Sequence, residues 1–391
     1  MLITNCAQQM DDLRDFYRRT LLEDVIPFWF PRSIDQQYGG YLHCLDADGS
    51  IVDTDKAVWA QGRMAWMLLT LYNTWEPNSQ WLEWGRSGVE FLMKHAVDGD
   101  GRLFFHLTRD GCPIRKRRYA FSETFASIAC GALYRATQDP QWKQRASHLF
   151  ESFFHLTFTP GALPAKFCET RPMIGIGPRM ITIATAQALR EDLGPNEKWQ
   201  RWIDQSIEEI STLFVKHDIE AVMENVAPDG SIVDHFDGRI LNPGHSVEAA
   251  WFIMEEGRFQ QRPEWIELGC QMLDYSWRRG WDDQYGGLFY FRDVYGRPVS
   301  EYWHDMKFWW PHNEAIIASL MAFRLTGQPR FAQMLSEAHN WSFQHFWDTQ
   351  HGEWFGYLHR DGRLSNTLKG NFWKSFFHYP RMLWKCYQEL C

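Results

Sequence analysis

Two histidines, each near the start of a helix-like segment and each with a charged companion at helical spacing, are the residues of this chain best suited to moving a proton. His245 lies in NPGHSVEAAW (242–251), with Pro243 near the first helical position and Glu248 three residues on, on the same helix face. His378 lies in KGNFWKSFFHYPR (369–381), four residues after Lys374 and three before Arg381. A lone helical histidine is more often a core or surface group. A second one in a similar setting shifts that reading, because two imidazoles on different helices can face one substrate from opposite sides. An imidazole with an ordinary pKa near ~6.5 gives and takes protons at neutral pH.

Further polar groups sit where polar groups are unexpected. Arg63, in WAQGRMAW, interrupts an otherwise apolar stretch between Trp59 and Trp66 and needs an anionic or hydroxyl-rich partner or a structural ion pair. His312 and Glu314 follow a Trp pair in HDMKFWWPHNEA (304–315), and they read equally as pocket groups or as a network bracing the core. Tyr119, Phe121, Ser122 and Glu123 add possible contacts, although Ser122 reads more simply as an N-cap with Glu123 in the first turn. No H-x-H or H-E-x-x-H spacing is present, so metal-dependent chemistry is disfavoured. No G-x-G-x-x-G or P-loop sequence occurs.

The elements that must position these groups show as a repeat. IDQQYGGYLHCLDADGSIV from Ile34, WDDQYGGLFYFRDVYGRPV from Trp281 and WDTQHGEWFGYLHRDGRL from Trp347 each have Asp, reach Gly four residues later, alternate, and end on a Gly turn. Such a segment is a short β-hairpin, and weaker copies start at Val97 and Asp218. Turn glycines are spaced 62 residues from Gly49 to Gly111, and 66 both from Gly230 to Gly296 and from Gly296 to Gly362. The 119 residues from Gly111 to Gly230 imply one more, degenerate unit near the FTPGALPAKF around Gly161. Between hairpins, apolar residues recur at three- and four-residue steps. Twelve helices are predicted, over 9–26, 55–75, 79–95, 120–136, 139–155, 178–192, 196–215, 244–259, 263–279, 303–325, 328–346 and 371–388. The helix after each hairpin carries the chemically loaded residues near its start, whereas its partner is an ordinary amphipathic helix. An open solenoid needs polar caps at its ends, and the last segment here is rich in aromatics. The expectation is therefore an all-α toroid, an (α/α)6 barrel with short β-hairpins at one mouth. It forms a single domain over 1–391, with the loaded helices inside.

Composition fits a large soluble core: 391 residues, 45% hydrophobic, 16% aromatic. A net charge of −9 argues against nucleic-acid and anionic-membrane partners. Twenty-one Trp suit the apolar faces of sugar rings. No apolar run is long enough to span a bilayer and the start is not a secretory signal, so the expected location is cytoplasmic. The eight Cys, at 6, 44, 112, 130, 168, 270, 386 and 391, show no C-x-x-C and are expected as reduced, mostly buried thiols.

The motifs DTDKAVWAQGR, LNPGHSVEAAWF, YGGLFYF, MKFWWPHNEA, GEWFGYLHRDG and KGNFWKSFFHYPR, in that order from Asp53 to Arg381, resemble the N-acylglucosamine 2-epimerase family. The resemblance is closest to its N-acetylglucosamine 2-epimerase branch, which includes the renin-binding proteins. It implies an (α/α)6 barrel and reversible inversion at C2 of an aldose, N-acetylglucosamine to N-acetylmannosamine in that branch. By motif it makes His245 and His378 the acid/base pair. Arg63, Glu248 and Glu314 become sugar-binding partners, with Trp59, His312 and Arg381 as further contacts. A homodimer is the expected assembly. The chain departs from the family in two places. ATP-activated members carry a Lys-rich loop in the third unit, where this chain has FTPGALPAKFCETR with Lys166 alone, so no cofactor and little response to ATP are expected. Small aliphatic residues usually precede the Pro-Met pair of the sixth helix, and here Arg179 enters Gly177-Pro178-Arg179-Met180.

Other members of the family act on unmodified sugars, so epimerisation or aldose–ketose isomerisation of glucose, mannose or fructose is the alternative. A glycosidase on the same fold would use Glu248 and Glu314 as its carboxylates but leaves two histidines unexplained. A non-catalytic binding protein has no need of two proton carriers.

Overall fold

The structure is a computed structural model that describes residues 7–391; Cys6 lies outside the described residues. Six of its long helices are buried on nearly every side. They are α2 (Val58–Thr74), α4 (Phe121–Thr137), α6 (Gly177–Leu193), α8 (Pro243–Phe259), α10 (Trp309–Thr326) and α12 (His378–Leu390). In α10 the chain from Trp309 to Phe323 is buried without a break, which only a helix packed all round allows. These helices pack each on the next, and α12 closes on α2, so they form a ring. Six amphipathic helices lie outside: α1 (Ala7–Arg19), α3 (Ser79–Phe91), α5 (Pro140–Phe158), α7 (Glu197–Glu209), α9 (Pro263–Gly280) and α11 (Pro329–His345). Each covers the inner helix before it, and α1 covers α12. The inner set is the set that follows the hairpins, as expected, and the (α/α)6 barrel is the observed architecture.

The hairpins are smaller than expected and do more than cap the mouth. Their strands run two or three residues, and four of the seven strand pairings join neighbouring units rather than the arms of one hairpin. Lys56–Ala57 pairs with His106–Leu107, Ile174–Gly175 with Asn225–Val226, Ile240–Leu241 with Arg292–Asp293, and Lys307–Phe308 with Tyr357–Leu358. At the closing junction the Lys369 amide donates to the Leu45 carbonyl at 2.9 Å. The degenerate unit near Gly161 forms no hairpin: residues 159–173 are turn and coil. Among the described residues, no strand pairs with the segment just before α4.

A buried lysine fastens three of the junctions. Lys56 Nζ donates to Asp35 Oδ2 (3.0 Å) and to the Gly39 carbonyl (2.7 Å). Lys307 Nζ does the same to Asp282 Oδ2 and the Gly287 carbonyl, both at 3.1 Å. Lys369 Nζ reaches Asp348 Oδ2 (3.0 Å) and the Gly352 carbonyl. Arg109 and Arg360, from the following hairpins, add paired hydrogen bonds to Asp35 and Asp282. Two helices start later than the apolar period suggested. Helix α10 begins at Trp309 because Lys307 and Phe308 are taken into a strand, and α12 begins at His378 because the preceding residues form a pinned, irregular segment. Cys44, Cys130, Cys270 and Cys386 are buried free thiols, whereas Cys112, Cys168 and Cys391 are exposed ones. No described helix is long and apolar enough to cross a membrane.

Candidate active site

The ring encloses a cavity of about 1960 Å³. Arg63, His245, Glu248, His378 and Arg381 line it, with Trp59, Trp251, Trp309, Trp310 and Trp373 around them. Each polar group comes from the first turns of an inner helix, where the sequence placed it.

His245 is set by the start of α8. Pro243 opens the helix, and Asn242 caps it by accepting the His245 amide on Oδ1 at 3.1 Å. Gly244 has a steric reason: a Cβ there would lie 2.5 Å from the Trp310 indole, which packs against this turn. The imidazole Nδ1 lies 3.0 and 3.1 Å from the two oxygens of Glu224. A carboxylate only accepts, so Nδ1 carries the hydrogen and Nε2 is the free nitrogen. Burial pulls the imidazolium pKa down, but the Glu224 charge and hydrogen bond, with help from Glu248, outweigh it, and the net shift is upward.

His378 is the first residue of α12 and is buried. Its Nδ1 donates to Glu314 Oε1 at 2.8 Å, again leaving Nε2 free. Glu314 is fully engaged elsewhere: Arg381 Nη2 reaches the same oxygen at 2.5 Å and Trp251 Nε1 reaches the other at 2.8 Å. Burial, then the charges of Arg381 and Arg63, push His378 well below the ordinary histidine value. Both imidazoles lean on one indole, with ring centroids 5.2 Å (His245) and 5.8 Å (His378) from Trp310.

Arg63 sits in an aromatic box. Its guanidinium carbon lies 5.0, 4.2 and 4.8 Å from the ring centres of Trp59, Phe125 and Phe377, and its Nε is buried with no partner. Burial lowers its pKa to about 9. A desolvated guanidinium without a bonded carboxylate, lining a cavity beside two histidines, is suited to receive negative charge that develops on a bound molecule.

Glu248, Glu314 and His378 bring ligand atoms within 4.8 Å of one another, the geometry of a metal site. Arg381 Nη2 lies among them, 2.6 Å from Glu248 Oε1 and 2.5 Å from Glu314 Oε1, so the cluster already contains its cation. Arg381 lines the cavity, but its hydrogen-bonding nitrogen is spent on these two carboxylates.

Two expected contacts are corrected. His312 is fully buried away from the cavity: its Nδ1 donates to the Phe308 carbonyl (2.7 Å), its Nε2 accepts the Leu288 amide (2.9 Å), and its ring stacks on Trp341. It ties α10 to a hairpin and cannot touch substrate. Glu314 lies one layer behind the wall and acts through His378 and Arg381. Trp59 lines the cavity, with its indole N–H held by the Phe372 carbonyl at 2.8 Å. Tyr119 and Phe121 also line it, but Glu123 turns outward to accept the Leu103 amide (3.0 Å), and Ser122 lies inside the helix rather than capping it. Arg179 reaches the wall with its Nε bound to Glu209 at 2.7 Å.

Glu224 was missed by sequence reasoning. It stands in AVMENV, 21 residues before His245, on a segment tied to the chain entering α8 by the Glu224 amide, which donates to the Ile240 carbonyl at 3.1 Å. Its only signal was a carboxylate inside an apolar alternation.

Residues 40–380 match the family described as N-acylglucosamine 2-epimerase (GlcNAc 2-epimerase). The N-acylglucosamine 2-epimerase of Mus musculus is 35% identical over 379 residues, which cover 94% of this chain and 90% of that protein. The Homo sapiens protein of the same name is 34% identical over 390 residues, 94% of this chain and 88% of its own. Among solved structures, cellobiose 2-epimerase from Bacillus thermoamylovorans B4167 superposes with a TM-score of 0.84 at 17% identity, over 97% of this chain and 99% of that one, and so shares the fold.

Proposed function

We propose that this chain, which belongs to the N-acylglucosamine 2-epimerase family and is a carbohydrate 2-epimerase, interconverts N-acetylglucosamine and N-acetylmannosamine. The carrying observation is the pair of imidazoles that flank one indole with opposite electrostatic bias.

In the open-chain sugar the C1 carbonyl acidifies the C2 hydrogen. In one direction, neutral His378 takes that proton on Nε2 while Glu314 holds Nδ1–H. The C2–H electrons move into the C1–C2 bond and onto O1, and Arg63 stabilises the enolate oxygen. His245, whose protonated form the Glu224 carboxylate favours, returns a proton to the opposite face of C2. The reverse direction exchanges the two roles. Every proton and charge is carried by a side chain, which supports a reaction without cofactor, and the third-unit loop with Lys166 alone supports little response to ATP. The closure of α12 on α1 and α2 supports one catalytic domain over 1–391.

The test is to incubate the protein separately with N-acetylglucosamine, N-acetylmannosamine, glucose, mannose and fructose in D2O. Interconversion of the two N-acetyl sugars with deuterium at C2 is expected. Turnover confined to unmodified sugars, or a ketose product, would replace the substrate assignment.

A further inference from the structure

The three buried lysines that fasten the mouth occupy different distances from the helices they precede. Lys56 and Lys307 stand two residues before α2 and α10, but Lys369 stands nine before α12. The added segment, Gly370 to Phe377, leads directly into His378. It supplies Trp373 to the cavity wall, Phe377 to the aromatic box around Arg63, and the Phe372 carbonyl that holds Trp59.

This segment has no strand or helix of its own, so its shape depends on side chains. Asn371 Oδ1 accepts the amides of Trp373 (2.8 Å) and Lys374 (2.9 Å). Lys374 then folds back: its Nζ donates to the Lys369 carbonyl at 2.9 Å and to Glu353 Oε1 at 2.8 Å. Both members of that ion pair are buried, at 1% and 0% exposure, and neither lines the cavity. Glu353 also accepts Trp29 Nε1 (2.7 Å) and the Trp354 amide (3.0 Å), so its acceptors are committed. Burying two charges is costly and adds little net stability compared with an apolar pair of similar volume. What this pair does supply is a single geometry for the segment.

We propose that Lys374, through Glu353, is a positioning residue for proton transfer by His378, fixing the Gly370–Phe377 segment so that His378 meets the substrate in register. The inference rests on the two-histidine reading above and assigns Lys374 no contact with the sugar.

The experiment compares Lys374→Met, the charge-free double variant Lys374→Met/Glu353→Gln, and His378→Asn in the full chain. Thermal melting, kcat and KM, and C2 hydrogen exchange of each N-acetyl sugar in D2O are measured. Removing both charges avoids an orphaned buried carboxylate, so the double variant is expected to fold even where Lys374→Met does not. Its kcat should fall roughly 10- to 100-fold, the scale of an ångström of misplacement, with KM within a few-fold of the parent. C2 exchange should drop for the same sugar that loses it in His378→Asn and persist in the other. A folded double variant with parental kcat, or with both exchange rates lowered alike, overturns the positioning role. Undiminished turnover in His378→Asn would instead overturn the two-histidine reading itself.

Discussion

The two sides of the cavity hold the same side chain in opposite electrostatic settings. On the α8 side, His245 is partly accessible, at 31% side-chain exposure, and among the described residues its carboxylate partner Glu224 makes no ion pair with an arginine or lysine. On the α12 side, His378 is 8% exposed, and its partner Glu314 has already given its charge to Arg381. A carboxylate next to histidine therefore does not by itself decide the histidine's charge. What separates the two is burial, deeper at His378, and the Arg381 and Arg63 charges beside it, against the Glu224 carboxylate beside His245. The two settings bias one imidazole toward base and the other toward acid, so C2 can lose a proton on one face and gain another on the opposite face without either group leaving its place.

The comparison breaks most completely when either member is removed. His245→Asn and His378→Asn should each lower epimerisation by ~10²–10⁴, the usual worth of a general acid or base, and the double variant should lose little more. Steady-state turnover of both N-acetyl sugars checks this. A smaller effect comes from Glu224→Gln. Without the carboxylate, burial governs His245 and its pKa falls, so the pH limb that reports His245 in kcat should move to lower pH. The limb that reports His378 should stay where it is.

A separate effect is on acid stability. Burial holds His312 at about 3, His43 and His339 at about 4, and His378 well below its ordinary value. In the unfolded chain each returns to ~6.5, so below that pH the unfolded state binds more protons. Their contribution is complete above ~6.5 and is lost as pH falls, by ~1.4 kcal/mol per histidine per pH unit. His245 has the opposite sign: its raised folded pKa stabilises below ~6.5, and that contribution disappears as pH rises through the folded value. Melting curves between pH 7 and 5 should show a lower Tm in acid, with His378→Asn flattening the slope and His245→Asn steepening it.

The ring and its axis were legible because they depend on local period. Turn glycines such as Gly49, Gly296 and Gly362 take positive φ, and their spacing marks the units without any knowledge of contacts. The first turns of α8 and α12 were legible for the same reason, since Asn242, Pro243 and the histidines act within one helical turn. What the sequence hid depends on direction and on distant pairing. His312 and Glu314 are two residues apart on α10 and so point apart, one to the hairpin and one toward the axis, and type alone did not separate them. Glu224 reaches His245 across 21 residues, through a backbone bond from its amide to the Ile240 carbonyl that no local period records. The late start of α12 follows from two buried lysine contacts, at Lys369 and Lys374, that no apolar period records.

The central claim is that His245 and His378 act on opposite faces of C2, and C2 isotope exchange in the two single His→Asn variants tests it most directly. Each variant keeps the base for one epimer. With N-acetylglucosamine and N-acetylmannosamine incubated separately in D2O, one variant should wash deuterium into the gluco sugar and the other into the manno sugar, with almost no net interconversion in either. Substantial epimerisation in both variants, or exchange lost equally from both sugars in both, would contradict the account and leave a single mobile base in place of the pair.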